Sequence, residues 1–271
     1  MSFEVKSCLS TLLSQVKVYA PDMLSLSLVD YPKEPACVIF LSGCNLRCPY
    51  CQNWKLREAK EEDLVSLEAI MLALQRNFLV SACKITGGEP LLQADVLIEL
   101  GKLVKARGLK FGVDTNGTLP ESLVRLLPHV DLISIDVKSA LKPESYSKIA
   151  GIDLSKAKVV VKNITKSLNL LFSYKGVYVD VRTVIIPDVN DSIDELSSIA
   201  EDLRKLGYVE KASRGEASYT LVEFVPENAY SEEFRSKRNP RADELLELAS
   251  KLDLPNIHVT HRALGFFIKA K

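Results

Sequence analysis

Residues 36–53 read ACVIFLSGCNLRCPYCQN. The first six, Ala36–Leu41, form an unbroken apolar run of strand length, as expected of a strand buried on both faces of a parallel sheet. The chain then turns polar at once and carries Cys44, Cys48 and Cys51, half of its six cysteines. A buried strand that empties into a loop of thiols raises a question for the other strands. In parallel α/β folds the ligand site lies at the carboxyl ends of the strands, so several should end in chemistry-bearing loops.

They do. Ser81–Thr86 reads as a second strand and runs into Thr86-Gly87-Gly88-Glu89-Pro90. Leu109–Val113 runs into Asp114-Thr115-Asn116-Gly117, and Val130–Val137 brings Asp136 and Lys138 to its end. Gly176–Ile186 contains Arg182, and Ser218–Val225 contains Glu223. Helical spacing marks Leu67–Asn77, Leu92–Ala106, Leu119–Leu127, Ser155–Ser173, Ser192–Leu206 with Asp191 as its N-cap, and Ala242–Leu252 after Pro240. Ile257–Thr260 reads as one last short strand. About six strand–helix alternations predict an α/β fold, best matched by a partial (β/α)6 TIM-like barrel, with a doubly wound open sheet as the alternative. Residues 1–30 read as an N-terminal extension packed on a single domain, 31–271. No repeat, low-complexity segment or linker interrupts that domain.

The 271 residues are 47% hydrophobic, and Lys plus Arg equals Asp plus Glu at 35 each. This balance offers no electrostatic ground for nucleic acid or an acidic membrane as partner. No apolar run has the length of a membrane span, and the N-terminus lacks the h-region of a signal peptide, so a cytoplasmic protein is expected. Its cysteines should then be reduced. Cys8, Cys37 and Cys83 stand alone and read as buried small hydrophobes.

The clustered three point to metal. Structural zinc takes four closed ligands, and the histidines, His129, His258 and His261, are all distant in sequence; a long-range fourth ligand keeps zinc open. A cubane iron–sulfur cluster takes one cysteine per iron, so three would leave one iron open for a substrate or cofactor. Two glycines at a strand end allow close backbone approach to a ligand, and Pro90 stands where a helix tolerates proline. Each cluster also has a plain reading. TGGEP serves equally as a tight βα turn, DTNG as ordinary turn chemistry, Asp136 with Lys138 as an ion pair, and Arg182 as a surface partner of Asp180.

The spacing Cys44-x-x-x-Cys48-x-Tyr50-Cys51 resembles the signature of the radical S-adenosylmethionine (radical SAM) enzymes. With Asp30-Tyr31-Pro32, TGGEP, DTNG, IDVK and RTVIIP following in order, the chain is similar to the glycyl-radical-enzyme activating enzymes, the activases of pyruvate formate-lyase and of anaerobic ribonucleotide reductase. That resemblance implies a 4Fe-4S cluster on Cys44, Cys48 and Cys51 whose open iron chelates S-adenosylmethionine. An electron from ferredoxin or flavodoxin would cleave the cofactor to methionine and a 5′-deoxyadenosyl radical. The radical would take a hydrogen atom from a glycine in the radical loop of a partner protein. The resemblance further implies Tyr50 near the adenine, Gly87, Gly88 and Glu89 at the methionine amino group, and Asn116, Lys138 and Arg182 as cofactor contacts. A monovalent cation beside the cofactor carboxylate would be held by Asp114, Thr115 and Asp136.

The chain departs from this pattern at Asn228, which stands where the best-known activase has a histidine; asparagine cannot carry a proton near neutral pH. The same chemistry on a small molecule, an RNA nucleoside or a peptide is therefore an alternative, as is a non-enzymatic zinc or iron–sulfur module. No further cysteine group could hold a second cluster. The basic run Arg235–Arg241 reads as a solvated loop.

Overall fold

A computed structural model describes residues 13–270; Cys8 lies outside the described residues. The chain divides into two compact units. The first takes the described residues up to Asn45, Lys55–Asp114 and Arg125–Asp131; the second takes Leu46–Trp54, Thr115–Val124 and the described residues from Leu132.

In the first unit a sheet runs in the order β6 (Lys110–Thr115), β5 (Ala82–Gly87), β3 (Ala36–Leu41), β2 (Asp22–Ser27). β3, β5 and β6 are parallel, and β2 adds antiparallel to β3. A separate antiparallel pair joins β1 (Lys17–Tyr19) to β4 (Leu64–Ser66). The helix Leu67–Arg76 starts where the Ser66 hydroxyl accepts the Ala69 N–H at 3.2 Å. The helix Ala94–Ala106 buries Leu97, Leu100 and Val104, spaced three and four apart. Fully burying each such side chain is worth about 1.5–3 kcal/mol. β2 escapes the sequence reading because it is an edge strand whose Met23, Leu24 and Leu26 remain exposed, so its pattern marks no buried face.

The second unit holds parallel strands β7 (Leu132–Asp136), β8 (Tyr178–Ile185), β9 (Ala217–Glu223) and β10 (Ile257–His261), with β11 (Gly265–Lys269) antiparallel to β10. The long helix is Leu154–Ser173, capped by Asp153 accepting the Lys156 N–H at 2.8 Å. Val160 and Val161 face its core while Val159 points to solvent, so the β-branched run is carried by packing. Ser192, not Asp191, caps the helix Ile193–Lys205: its hydroxyl accepts the Glu195 N–H at 3.2 Å. Asp191 instead accepts the Asp188 N–H at 3.1 Å and closes the preceding turn. A helix at Pro143–Ala150 was not expected from the sequence. Among the described residues no helix is long and apolar enough to cross a membrane.

Cys37 and Cys83 are register neighbours on β3 and β5 and are both buried, as expected. Burial pushes the Cys37 thiol up to about 11 and the Cys83 thiol well above its ordinary value. None of the described cysteines is in a disulfide. In metal-free protein, iodoacetamide should therefore label Cys44, Cys48 and Cys51 first, and Cys37 and Cys83 only on unfolding. Peptide mass spectrometry reads this directly; equal labelling rates would contradict it.

Candidate active site

In the first unit the chain leaving β3 is tied down before its first cysteine. Ser42 Oγ donates to Asp63 at 2.6 Å, the Gly43 N–H to the Leu56 carbonyl at 2.8 Å, and the Cys44 N–H to the Arg57 carbonyl at 3.0 Å. The end of β5 packs against the same stretch. The Gly88 N–H donates to Leu41 and the Glu89 N–H to Gly43, both at 2.8 Å. A Cβ at Gly87 would lie 2.2 Å from the Leu41 carbonyl oxygen, and one at Gly88 2.1 Å from that of Gly43. The close approach expected of these glycines is thus made to the backbone of the neighbouring strand's end. Glu89 is buried, and its carboxylate accepts the Leu91 N–H at 3.0 Å, capping a short helical turn with Pro90 at its start as expected.

At the end of β6, Asp114 is half-buried and its Oδ1 lies 2.7 Å from the ammonium of the fully buried Lys84. That partner was not apparent from the sequence.

The second unit takes over at Leu46. The Arg47 N–H donates to the carbonyl of Ala150, the last residue of the helix Pro143–Ala150, at 3.0 Å. Gly151 ends that helix with φ +63°, and a Cβ there would lie 2.3 Å from the Arg47 carbonyl oxygen. The Pro49 carbonyl accepts the Ser231 N–H at 2.9 Å, and the Cys51 N–H closes a turn onto Cys48 at 3.1 Å. Tyr50 turns inward, its ring centroid 6.2 Å from that of Phe234, in a cluster with Ile149, Ile186, Phe224 and Ala229 against which Cys48 packs.

Lys138 stands over the Tyr50 ring, its Nζ 6.0 Å from the centroid and 2.9 Å from Asp136 Oδ2. Burial works against the Lys138 charge, but Asp136 and the other groups around it together hold the group well above the ordinary lysine value. Burial likewise pushes the Tyr50 phenol up, so the ring stays neutral. Two residues that the sequence reading missed hold the Lys138 backbone. The Tyr146 hydroxyl accepts its N–H at 3.1 Å, and Asn190 Nδ2 donates to its carbonyl at 3.2 Å. Asp136 is the register neighbour of Arg182 on β8. Arg182 Nε donates to Asp180 at 2.6 Å; Asp180 is fully buried and also accepts Ser218 and Thr220 hydroxyls, so this is an interior pair and not a surface one.

The remaining positions carry turn chemistry. Thr115 Oγ1 accepts the Gly117 N–H at 3.1 Å, and Asn116 Oδ1 accepts from Thr118 at 3.1 Å and 2.6 Å. Glu223 is buried; Arg262 and Asn239 donate to it and hold its carboxyl below the usual range against the opposing effect of burial. Asn228 is exposed in the short turn Pro226–Asn228. The basic run is largely compensated: Arg238 pairs with Glu244 and Arg241 with Asp243, while Arg235 ends a short helix that buries Phe234.

Of the expected site residues, Cys48, Tyr50, Asp136, Lys138 and Arg182 lie in the second unit, with Cys48, Tyr50 and Lys138 in one packed group. Cys44, Gly87, Gly88, Glu89 and Asp114 lie in the first. Among the described residues, no three His, Cys, Asp or Glu side chains already converge as they would around a bound metal. The donor set nevertheless suits iron: three half-buried thiols within eight residues of sequence.

A profile of the radical SAM superfamily matches residues 38–203, more than half the chain. The chain belongs to that superfamily. It is 32% identical over 235 residues to a protein of Methanocaldococcus jannaschii named as a candidate glycyl-radical enzyme activating enzyme, a match covering 86% of this chain and 91% of that protein. It is 33% identical over 192 residues to the pyruvate formate-lyase-activating enzyme of Clostridium pasteurianum, covering 69% of this chain and 76% of that one. Among solved structures, a radical SAM methyltransferase from Sphaerobacter thermophilus superposes with a TM-score of 0.67 at 14% identity, covering 96% of this chain and 82% of that one. This likeness shows the fold, the α/β partial barrel of the superfamily, and so favours the barrel over the doubly wound sheet.

Proposed function

We propose that this chain is an activase: a cytoplasmic radical SAM oxidoreductase that abstracts a hydrogen atom from a glycine of a partner glycyl radical enzyme. The observation that carries the reading is the run of three half-buried thiols, Cys44, Cys48 and Cys51, in a stretch of eight residues. The similarity to an activase over 69% of the chain supports the choice of partner. Cys44, Cys48 and Cys51 would hold a 4Fe-4S cluster, which with one electron from a ferredoxin- or flavodoxin-like donor supplies reductive cleavage of S-adenosylmethionine.

The protein's own groups then bind and orient. Lys138, kept charged by Asp136, offers a fixed ammonium to an anionic cofactor group, and Arg182, anchored by Asp180, offers a guanidinium. Tyr50 presents a neutral, immobile ring. Glu89 brings a buried carboxylate for an amino group. A glycine is a suitable donor because it lets an unbranched stretch of backbone enter a confined site.

The test is anaerobic. The protein is reconstituted with iron and sulfide, reduced, and its electron paramagnetic resonance spectrum recorded with and without S-adenosylmethionine. The same samples are assayed for 5′-deoxyadenosine and for an organic radical on a glycine-containing partner peptide. A cubane signal that shifts with the cofactor, nucleoside release and a peptide radical are the expected results. A colourless protein with one zinc and no labile sulfide would sink the reading. Turnover without a peptide radical would keep the chemistry and reject the partner.

A further inference from the structure

Lys84 is a lysine in the middle of a buried parallel strand, with a side chain 0% exposed. Its register neighbour on β6 is Gly112. A Cβ at Gly112 would lie 3.1 Å from Lys84 Cδ and 2.8 Å from the Tyr31 ring edge. The missing side chain therefore leaves a channel for the Lys84 stem, closed over by Tyr31. Side chains alternate along a strand, so Asp114 falls on the same face of β6 as Gly112, one step nearer the strand end. The Lys84 stem crosses above Gly112 and brings Nζ to 2.7 Å from Asp114 Oδ1, an atom itself buried. The Tyr31 ring centroid lies 6.0 Å from Nζ, and burial keeps its phenol protonated, so the ring adds attraction without a competing charge. An ammonium this deep needs an opposite charge, and Asp114 supplies it. Asp30-Tyr31-Pro32, one of the motifs marking the resemblance, thus contributes the cover of this pair.

Asp114 is one of the three residues to which the resemblance assigns a monovalent cation. Each of the three already has a protein partner. Asp114 is paired with Lys84, Asp136 with Lys138, and Thr115 Oγ1 accepts the Gly117 N–H. We propose that Lys84 is a tethered counter-ion, a positioning residue whose ammonium supplies Asp114 with the positive charge otherwise expected from a free monovalent cation, so that cofactor binding needs neither potassium nor sodium. For the cofactor this rests on the activase reading; for the ion it does not.

The experiment has an arm for each. Reconstituted protein, with and without S-adenosylmethionine, is dialysed to equilibrium against radiolabelled rubidium in tetramethylammonium buffer. No stoichiometric rubidium should be retained; one rubidium per chain would overturn the proposal. In parallel, the dissociation constant for S-adenosylmethionine is measured as potassium replaces tetramethylammonium at constant ionic strength. A change within about twofold is expected, whereas a tenfold gain with potassium would overturn the proposal. Lys84→Met should weaken cofactor binding about tenfold in tetramethylammonium and regain it as potassium is added. Unaltered, potassium-independent binding in a folded Lys84→Met variant would overturn the proposal. If that variant does not fold, the two wild-type measurements decide. Failure to bind S-adenosylmethionine in any salt would strike the activase reading, while the rubidium arm still tests Lys84.

Discussion

Gly151→Ala should destabilise the protein by about 3 kcal/mol and prevent it from retaining a cluster. Gly151 sits at φ +63°, where alanine is strained. The new methyl would also lie 2.3 Å from the Arg47 carbonyl oxygen, a backbone atom that cannot swing aside as a flexible side chain can. Displacing Arg47 breaks its hydrogen bond to Ala150 and moves the loop between Cys44 and Cys48. The checks are the denaturant midpoint and the iron content per chain after reconstitution. Gly176→Ala is the control: φ is +82° but nothing lies within 4 Å of the added Cβ, so it carries the backbone strain alone and should keep its iron. Full iron in Gly151→Ala would show that the loop is not held from this side.

Asp180→Ala should cost about 3–5 kcal/mol, as breaking a buried ion pair does. Asp180 is fully buried, takes Arg182 Nε at 2.6 Å, and accepts the hydroxyls of Ser218 at 3.0 Å and Thr220 at 2.6 Å. Its loss strands a guanidinium and two interior hydroxyls together. A chain of this size should then melt about 10 °C lower by calorimetry. Asp180→Asn keeps an acceptor for the hydroxyls while removing the charge, and should fall between. A shift of less than about 2 °C for the alanine variant would mean that Arg182 finds another partner at no cost.

The strands and the motif positions were legible because hydrophobic runs and polar strand ends are local signals. Ala36–Leu41 is observed with the expected bounds, and Asp136 stands at a strand end as read. What escaped was pairing across strands. Lys84 looks like an interruption of the run SACKIT until β6 is laid beside it and Gly112 and Asp114 account for its path. The helix Pro143–Ala150 was missed because Lys142, Glu144, Ser147 and Lys148 make the segment polar, although Pro143 at its start and Gly151 just past its end are a usable signal. Asp191 and Ser192 both suit an N-cap, and only the geometry of the turn before them separates their roles. The glycines of TGGEP were read toward a ligand, whereas the neighbouring strand's backbone already accounts for their lack of side chains.

The backbone ties of the cysteine loop bear on how the protein ages. Cys44 is bonded to Arg57, Arg47 to Ala150 and Pro49 to Ser231, all by main-chain groups that require no metal. Zinc fingers, by contrast, collapse when stripped of their ion. A chain built in this way would separate the lifetime of its polypeptide from that of the proposed cluster: oxygen could destroy the cluster and leave these main-chain ties in place, ready for repair by refilling and not by resynthesis.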